Sequence, residues 1–263
     1  MDLGLSGKVA LVCASSRGIG KAVAKTLSRE GASVVICGRD MGALEDATGE
    51  IEGETGNGVT AIRCDLTKKG EVDSLVEKAV KTHGTVHVLV NNAGGPPSGT
   101  FLDVEEEDWI RAFELNFLSA TGCTHRVLPL MMKQGFGRII NITSFTVKQP
   151  LENLVLSNGV RAGLVGAMKT LSREVADRGI TVNNICPGYI LTERLKAVIE
   201  RRAQATGISA DMAMEMALSE IPAGRFGSPE EIGDAVAFLA SARASYVNGV
   251  TLQVDGGLIR SLL

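Results

Sequence analysis

A chain of 263 residues with 44% hydrophobic and 22% charged side chains is neither disordered nor collagen-like, and it is long enough for one large α/β domain or two small ones. Its 27 basic and 30 acidic residues leave a formal charge of −3, with both signs spread along the chain, so there is no basic stripe for nucleic acid and no polybasic membrane patch. The 31 glycines against 4% aromatics predict many tight turns and close helix–sheet packing filled by Ala, Val, Ile and Leu.

Asp2 near the start and the short apolar run from Val9 to Ala14 predict neither a leader peptide nor a transmembrane helix. Five widely spaced cysteines (Cys13, Cys37, Cys64, Cys123, Cys186) read as reduced core thiols of a cytoplasmic protein without a structural zinc.

In chain order, short β-branched runs alternate with longer amphipathic stretches. Strands are expected at 8–13, 33–37, 60–64, 86–91, 137–142, 181–186 and 250–254, and helices near 20–30, 41–53, 70–83, 105–134, 153–178 and 229–240. Strands apolar on both faces and separated by helices predict one parallel sheet covered on both sides, a single α/β Rossmann domain over 1–263. The stretch 190–222, charged and then rich in Met and Ala, predicts helices forming a substrate lid, with Met212, Met214 and Met216 as packing residues. Glu105, Glu106, Glu107 and Asp108 complement a helix dipole. His83 and His87 straddle Gly84 and do not share a helical face, so with His125 they read as structural residues, and no metal site is expected.

After the first strand comes Ala14-Ser15-Ser16-Arg17-Gly18-Ile19-Gly20, and a helix opens at once. Outward-pointing backbone N–H groups at a helix start, with glycines keeping side chains away, suit a phosphate-bearing ligand. At the end of the second strand, where an acid would hold the ribose of NAD, stands Arg39. Arg17 and Arg39 predict a clamp on a 2′-phosphate, hence NADP over NAD, while Asp40 leaves the NAD alternative open.

With Asn91-Asn92-Ala93-Gly94 after the fourth strand, Pro187-Gly188 after the sixth and Asn248-Gly249 through Asp255-Gly256-Gly257 at the end, the chain resembles the short-chain dehydrogenase/reductase family from end to end. The resemblance implies an NADP(H)-dependent oxidoreductase, similar to 3-oxoacyl reductases, that moves a hydride between nicotinamide and a carbonyl or alcohol. It implies coenzyme contacts at Ser15, Ser16, Arg17, Gly18, Ile19, Gly20, Arg39, Asp65, Leu66, Asn92, Ala93, Gly94, Pro187, Gly188, Ile190 and Thr192. It also implies a small-molecule substrate and a homotetramer or homodimer, built on helices 105–134 and 153–178, which are expected to expose apolar faces. The family's asparagine and serine positions fall on Asn116 and Ser144.

The family's tyrosine and lysine, four residues apart, fall on Ser157 and Arg161, and the two tyrosines present, Tyr189 and Tyr246, lie in other segments. Spacing places Ser157 and Arg161 on one helical face, towards Ser144 and the coenzyme. A serine hydroxyl is a far weaker acid than a phenol, and arginine holds ribose hydroxyls without passing a proton. Cys13 and Ala14 stand where the family usually has Thr and Gly, which adds a methyl at the phosphate loop. Three readings stay open. The first is a reductase whose proton comes from water at Ser157, from Tyr189, from Lys148 or from the substrate. The others are a cofactor-sensing protein without turnover and a non-redox enzyme similar to halohydrin dehalogenases. The loop from Gly94 to Gly99 either borders the substrate or is a mere turn.

Overall fold

The computed structural model describes residues 2–262, so Met1 and Leu263 of the expected domain lie outside the described residues. Seven strands, β1 (Val9–Val12), β2 (Ser33–Gly38), β3 (Val59–Arg63), β4 (Val88–Asn91), β5 (Gly137–Ile142), β6 (Ile180–Pro187) and β7 (Thr251–Val254), form one sheet in the order β3-β2-β1-β4-β5-β6-β7. Every pairing is parallel. The helices are α1 (Gly18–Arg29), α2 (Met41–Thr55), α3 (Lys69–His83), α4 (Glu106–Phe113), α5 (Ser119–Gln134), α6 (Val155–Glu174), α7 (Glu193–Thr206), α8 (Ala210–Ser219) and α9 (Pro229–Ala240).

The period-two rule of a strand sorts the core into two layers. Ala10 and Val12 of β1 join Val34 and Ile36 of β2 under α1, α2 and α9, where Val23, Leu27, Leu44, Ile51 and Val236 are buried. Val9, Leu11 and Cys13 point the other way with Val35 and Cys37, against Leu75, Val127 and Met168 of α3, α5 and α6. Both faces are thus covered, as parallel pairing requires.

At one level the sheet carries carboxamides instead of aliphatics. Asn91, Asn141, Asn184 and Thr251 are register partners on β4 to β7. Asn91 Nδ2 donates to Asn141 Oδ1 at 2.9 Å, Asn141 Nδ2 to Asn184 Oδ1 at 3.0 Å, and Asn184 Nδ2 to Thr251 Oγ1 at 3.3 Å.

The stretch 105–134 is not one regular helix. A π-helical turn at Glu114–Leu118 separates α4 from α5. This stretch exposes Ile110, Phe113 and Leu118 as expected, but the accessible side of α6 shows small residues (Gly159, Ala162, Gly163, Gly166) rather than a large apolar face. α7 and α8 pack on each other through Ile199, Ala203, Ala213 and Ala217, with Tyr189 and Met214 against them. Met212 and Met216 face outward instead of packing, because α8 buries only its alanine stripe.

The structural assignment of two histidines is borne out. His87 Nδ1 accepts from the Val9 amide at 3.0 Å, and His83 Nε2 lies 3.0 Å from Thr60 Oγ1. All five cysteines are free and buried, with Cys13 and Cys123 sulfurs 3.9 Å apart. No described helix is long and apolar enough to cross a membrane.

Candidate active site

Chain order reverses between β1 and β4, which opens a crevice at their carboxyl ends. The turn after β1 forms one lip. Gly18 sits at φ 56°, in the left-handed region. Gly20 has no room for a side chain, since a Cβ there would lie 2.4 Å from the Ala14 carbonyl oxygen and 2.8 Å from Asn92 Nδ2. Ala14 adopts φ 45° although it carries a Cβ, a strained conformation for alanine. Asn92 braces the same turn, its Nδ2 donating to the carbonyls of Cys13 at 3.3 Å and Ala14 at 3.1 Å.

The Ser15 side chain is turned inward. Its hydroxyl donates to the Val12 carbonyl at 2.7 Å and accepts from the Cys37 amide at 3.1 Å, so the fully buried side chain ties the turn to β2 and is not offered to the crevice. Ser16 lies against Gly38, Ile19 packs on the core, and Arg17 is exposed at the N-cap of α1.

At the end of β2, Arg39 is exposed. Its neighbour Asp40 is occupied, because its carboxylate caps α2 by accepting from the Ala43 amide at 3.2 Å. Beside them, burial pushes the Asp65 carboxyl up, but the hydroxyl and amide of Thr67 and the charges of Lys68 and Arg39 outweigh it and hold the group below its ordinary value. Leu66 lines the cavity on the far side of the turn.

The floor comes from the π-turn, β5 and α6. A π-turn shifts its residues by one position relative to an α-helix, and such turns recur where a side chain must be re-aimed. Here it holds Asn116, which is buried and donates through Nδ2 to the Gly94 carbonyl at 2.9 Å. Its Oδ1 has no partner, and neither has Asn91 Oδ1. Arg161 is buried below the end of β5, where its Nη1 donates to the carbonyls of Ile142 at 3.1 Å and Thr143 at 3.0 Å. Burial lowers its pKa to about 10, with Arg194 adding to the effect, so it remains a cation at neutral pH. Asn92, Ala93, Asn116 and Arg161 share one small cavity of about 10 Å³ with Asn91 and Cys13.

Ser144 and Ser157 are not brought into hydrogen-bond contact. Ser144 Oγ accepts from the Thr146 amide at 3.2 Å, and Ser157 Oγ lies 3.5 Å from Thr146 Oγ1. Tyr189, one of the candidate proton sources, is engaged with Glu220. Its hydroxyl donates to Glu220 at 3.1 Å, its ring stands edge-on to Phe145, and burial together with the Glu220 charge pushes its pKa up to about 12.

The opposite lip is the segment after β6. Gly188 lets this segment pass Asp255, whose Cα would lie 2.7 Å from an added Cβ. Ile190 is buried and bridges to Gly227, and Thr192 caps α7 while its Cγ2 approaches Gly18. The sequence offered no signal for Arg194, which reaches from α7 across to the loop after Gly94 and donates to the carbonyls of Gly95 at 3.2 Å and Pro96 at 2.9 Å.

The family described as enoyl-(acyl carrier protein) reductase matches residues 13–259. The 3-oxoacyl-(acyl-carrier-protein) reductase FabG of Vibrio cholerae is 38% identical over 258 residues, covering 97% of this chain and 99% of that protein. The L-sorbose reductase of Gluconobacter frateurii, solved with NADPH and L-sorbose, superposes with a TM-score of 0.94 at 34% identity, and the match covers 100% of both chains. YwfH, an NADPH-dependent reductase involved in bacilysin biosynthesis, superposes at 0.92 with 32% identity over 97% of this chain and 99% of that one. These relatives are reductases, which leaves the non-redox reading without support. Sheet order, glycine turn and full-length likeness agree, and the chain belongs to the short-chain dehydrogenase/reductase family of oxidoreductases.

Proposed function

We propose that the protein is an NADP(H)-dependent oxidoreductase that interconverts a small-molecule carbonyl and its alcohol, with Ser157 and Arg161 standing where the family has tyrosine and lysine. The observation that carries the proposal is the shared cavity in which Arg161 and the unpartnered Asn116 Oδ1 meet beside the glycine turn. A polyhydroxylated coenzyme fits these residues. Gly18 and Gly20 keep the phosphate turn bare, and Arg161 offers ribose hydroxyls a donor of fixed charge. Arg39 suits the 2′-phosphate, because it is exposed and its chain neighbour Asp40 is committed to capping α2. The sorbose reductase bound to NADPH and the NADPH-dependent YwfH point the same way.

When bound, the nicotinamide supplies the hydride. Ser144, two residues beyond β5, polarises the carbonyl. Arg161 holds the coenzyme and leaves proton transfer to water or to the substrate itself. α7 and α8 form the substrate lid within 190–222. The exposed Ile110, Phe113 and Leu118 beside the small-residue side of α6 suit a homodimer or homotetramer, and buried free thiols suit the cytoplasm.

The test is NADPH fluorescence titration followed by coenzyme oxidation over ketones, quinones and 3-oxoacyl thioesters. Sub-millimolar binding with turnover supports the proposal, and no binding ends it. A second reading, coenzyme sensing without turnover, is favoured by one observation. Neither Ser144 nor Ser157 is hydrogen-bonded to an acidic or basic side chain. Tight binding with no oxidation of NADPH on any carbonyl would select it.

A further inference from the structure

The crevice holds more positive charge than its surroundings answer. Arg194 uses only Nη2 in its two bonds to the loop, and Arg161 only Nη1 in its two bonds to β5. Among the described residues neither guanidinium belongs to an ion pair, although most of the surface carboxylates nearby do. Glu193 is turned to Lys196, Glu220 is held by Tyr189 and Arg202, and Asp255 accepts from the amides of Gly257 and Ile259. Two cations, the exposed Arg194 and the buried Arg161, therefore stand at this side of the site without an ion-pair partner among the described residues.

Arg161 is a buried cation without a counter-charge, which is costly, Arg194 is exposed above it, and two guanidinium forks with unused N–H groups match an oxyanion. The bare backbone at Gly95 supports the same placement, because a Cβ there would lie 2.9 Å from Arg194 Nη2. The glycine brings Arg194 against the loop that follows Gly94, whose carbonyl accepts from the Asn116 that lines one cavity with Arg161.

Resting on the reductase reading above, we propose that the substrate is itself an anion, a short oxo acid whose carboxylate is received by Arg194 while the buried Arg161 keeps the site positive. Arg194 is then the residue that selects a charged substrate over a neutral one.

The experiment is calorimetric titration with levulinate and its uncharged methyl ester, on the protein saturated with NADP+ and on the protein alone, for the wild type, Arg194→Gln and Arg194→Lys. The wild type is expected to bind the acid at least about 10-fold more tightly than the ester, with Arg194→Gln collapsing that ratio and Arg194→Lys keeping part of it. Thermal melts confirm that each variant is folded. Equal binding of acid and ester by the wild type, or an acid preference undiminished in Arg194→Gln, overturns the proposal. Failure of NADP+ to bind overturns the coenzyme reading instead, and the acid-over-ester ratio on the protein alone still decides this one.

Discussion

Ser157 and Thr146 face each other hydroxyl to hydroxyl at 3.5 Å, below the turn in which the Thr146 amide serves Ser144. No acid or base touches Ser157, so its alcohol, a far weaker acid than a phenol, orders the turn under Ser144 rather than delivering the proton. Ser157→Ala should lower kcat/KM by less than about 10-fold, whereas Ser144→Ala, which removes the hydroxyl proposed to polarise the carbonyl, should cost about 100-fold or more. Steady-state kinetics on the best carbonyl decides. A loss at Ser157 equal to that at Ser144 contradicts the assignment.

Arg161 is a buried cation held by two carbonyls and no carboxylate. Such a charge costs several kcal/mol to bury unless a ligand repays it. Arg161→Met should leave the thermal midpoint of the coenzyme-free protein at or above that of the wild type, yet weaken NADPH binding by about 10-fold or more. Paired melts with and without NADPH read both effects. A midpoint well below that of the wild type in the coenzyme-free protein would show that the arginine is mainly structural.

Arg39 is solvent-exposed and Asp40 is committed to the α2 cap. Arg39→Ala should therefore weaken NADPH by about 10- to 100-fold through the lost charged contacts and leave NADH within about 3-fold. The two dissociation constants, measured side by side, are the check, and parallel losses for both coenzymes would remove Arg39 from the 2′-phosphate.

Ala14 sits at φ 45° on the turn that Gly20 and Asn92 enclose. A left-handed backbone costs a residue with a Cβ about 1 kcal/mol, so Ala14→Gly should raise the unfolding free energy by up to about that amount. The gain is the smaller for the extra chain entropy that glycine gives the unfolded state. Urea unfolding reads it, and a lower midpoint in the glycine variant would mean that the methyl contributes packing that outweighs the strain.

The Tyr189 hydroxyl is neutral and donates to Glu220, with a pKa raised to about 12. The sign follows from the raised value. The stabilisation is complete below the unfolded-state value of about 10 and is lost as pH rises towards 12. Tyr189→Phe should thus be less stable at neutral pH by about 1 kcal/mol, lose less on further alkalinisation, and keep the pH profile of kcat. A lost alkaline limb in that profile would restore Tyr189 as an acid in the reaction.

The alternation of Val, Ile and Leu runs with amphipathic stretches made all seven strands readable to within two residues, because strands buried on both faces have little freedom in composition. The glycine turn was equally readable, since close packing leaves Gly20 no substitute. Three features were not. The π-turn that aims Asn116 leaves no mark in composition or period, and 105–134 reads as continuous helix. The Ser15 side chain turned inward because Val12 and Cys37 needed a partner, a fact of spatial neighbours that no local pattern carries. Arg194 meets Gly95 and Pro96 nearly a hundred positions away in the chain, and a surface-helix arginine looks the same in sequence whether it reaches a loop or solvent.

The row of side chains from Asn91 through Asn141 and Asn184 to Thr251 also bears on how the sheet opens. Sliding β5 by a single residue would put Ile140 or Ile142 at the level of Asn141 and break its bonds to both neighbouring strands, each forfeiting about 1 kcal/mol or more. β4 to β7 consequently have no low-energy misaligned pairing to visit, and their backbone protons should exchange with deuterated solvent as one block, later than those of the unlinked edge strand β3.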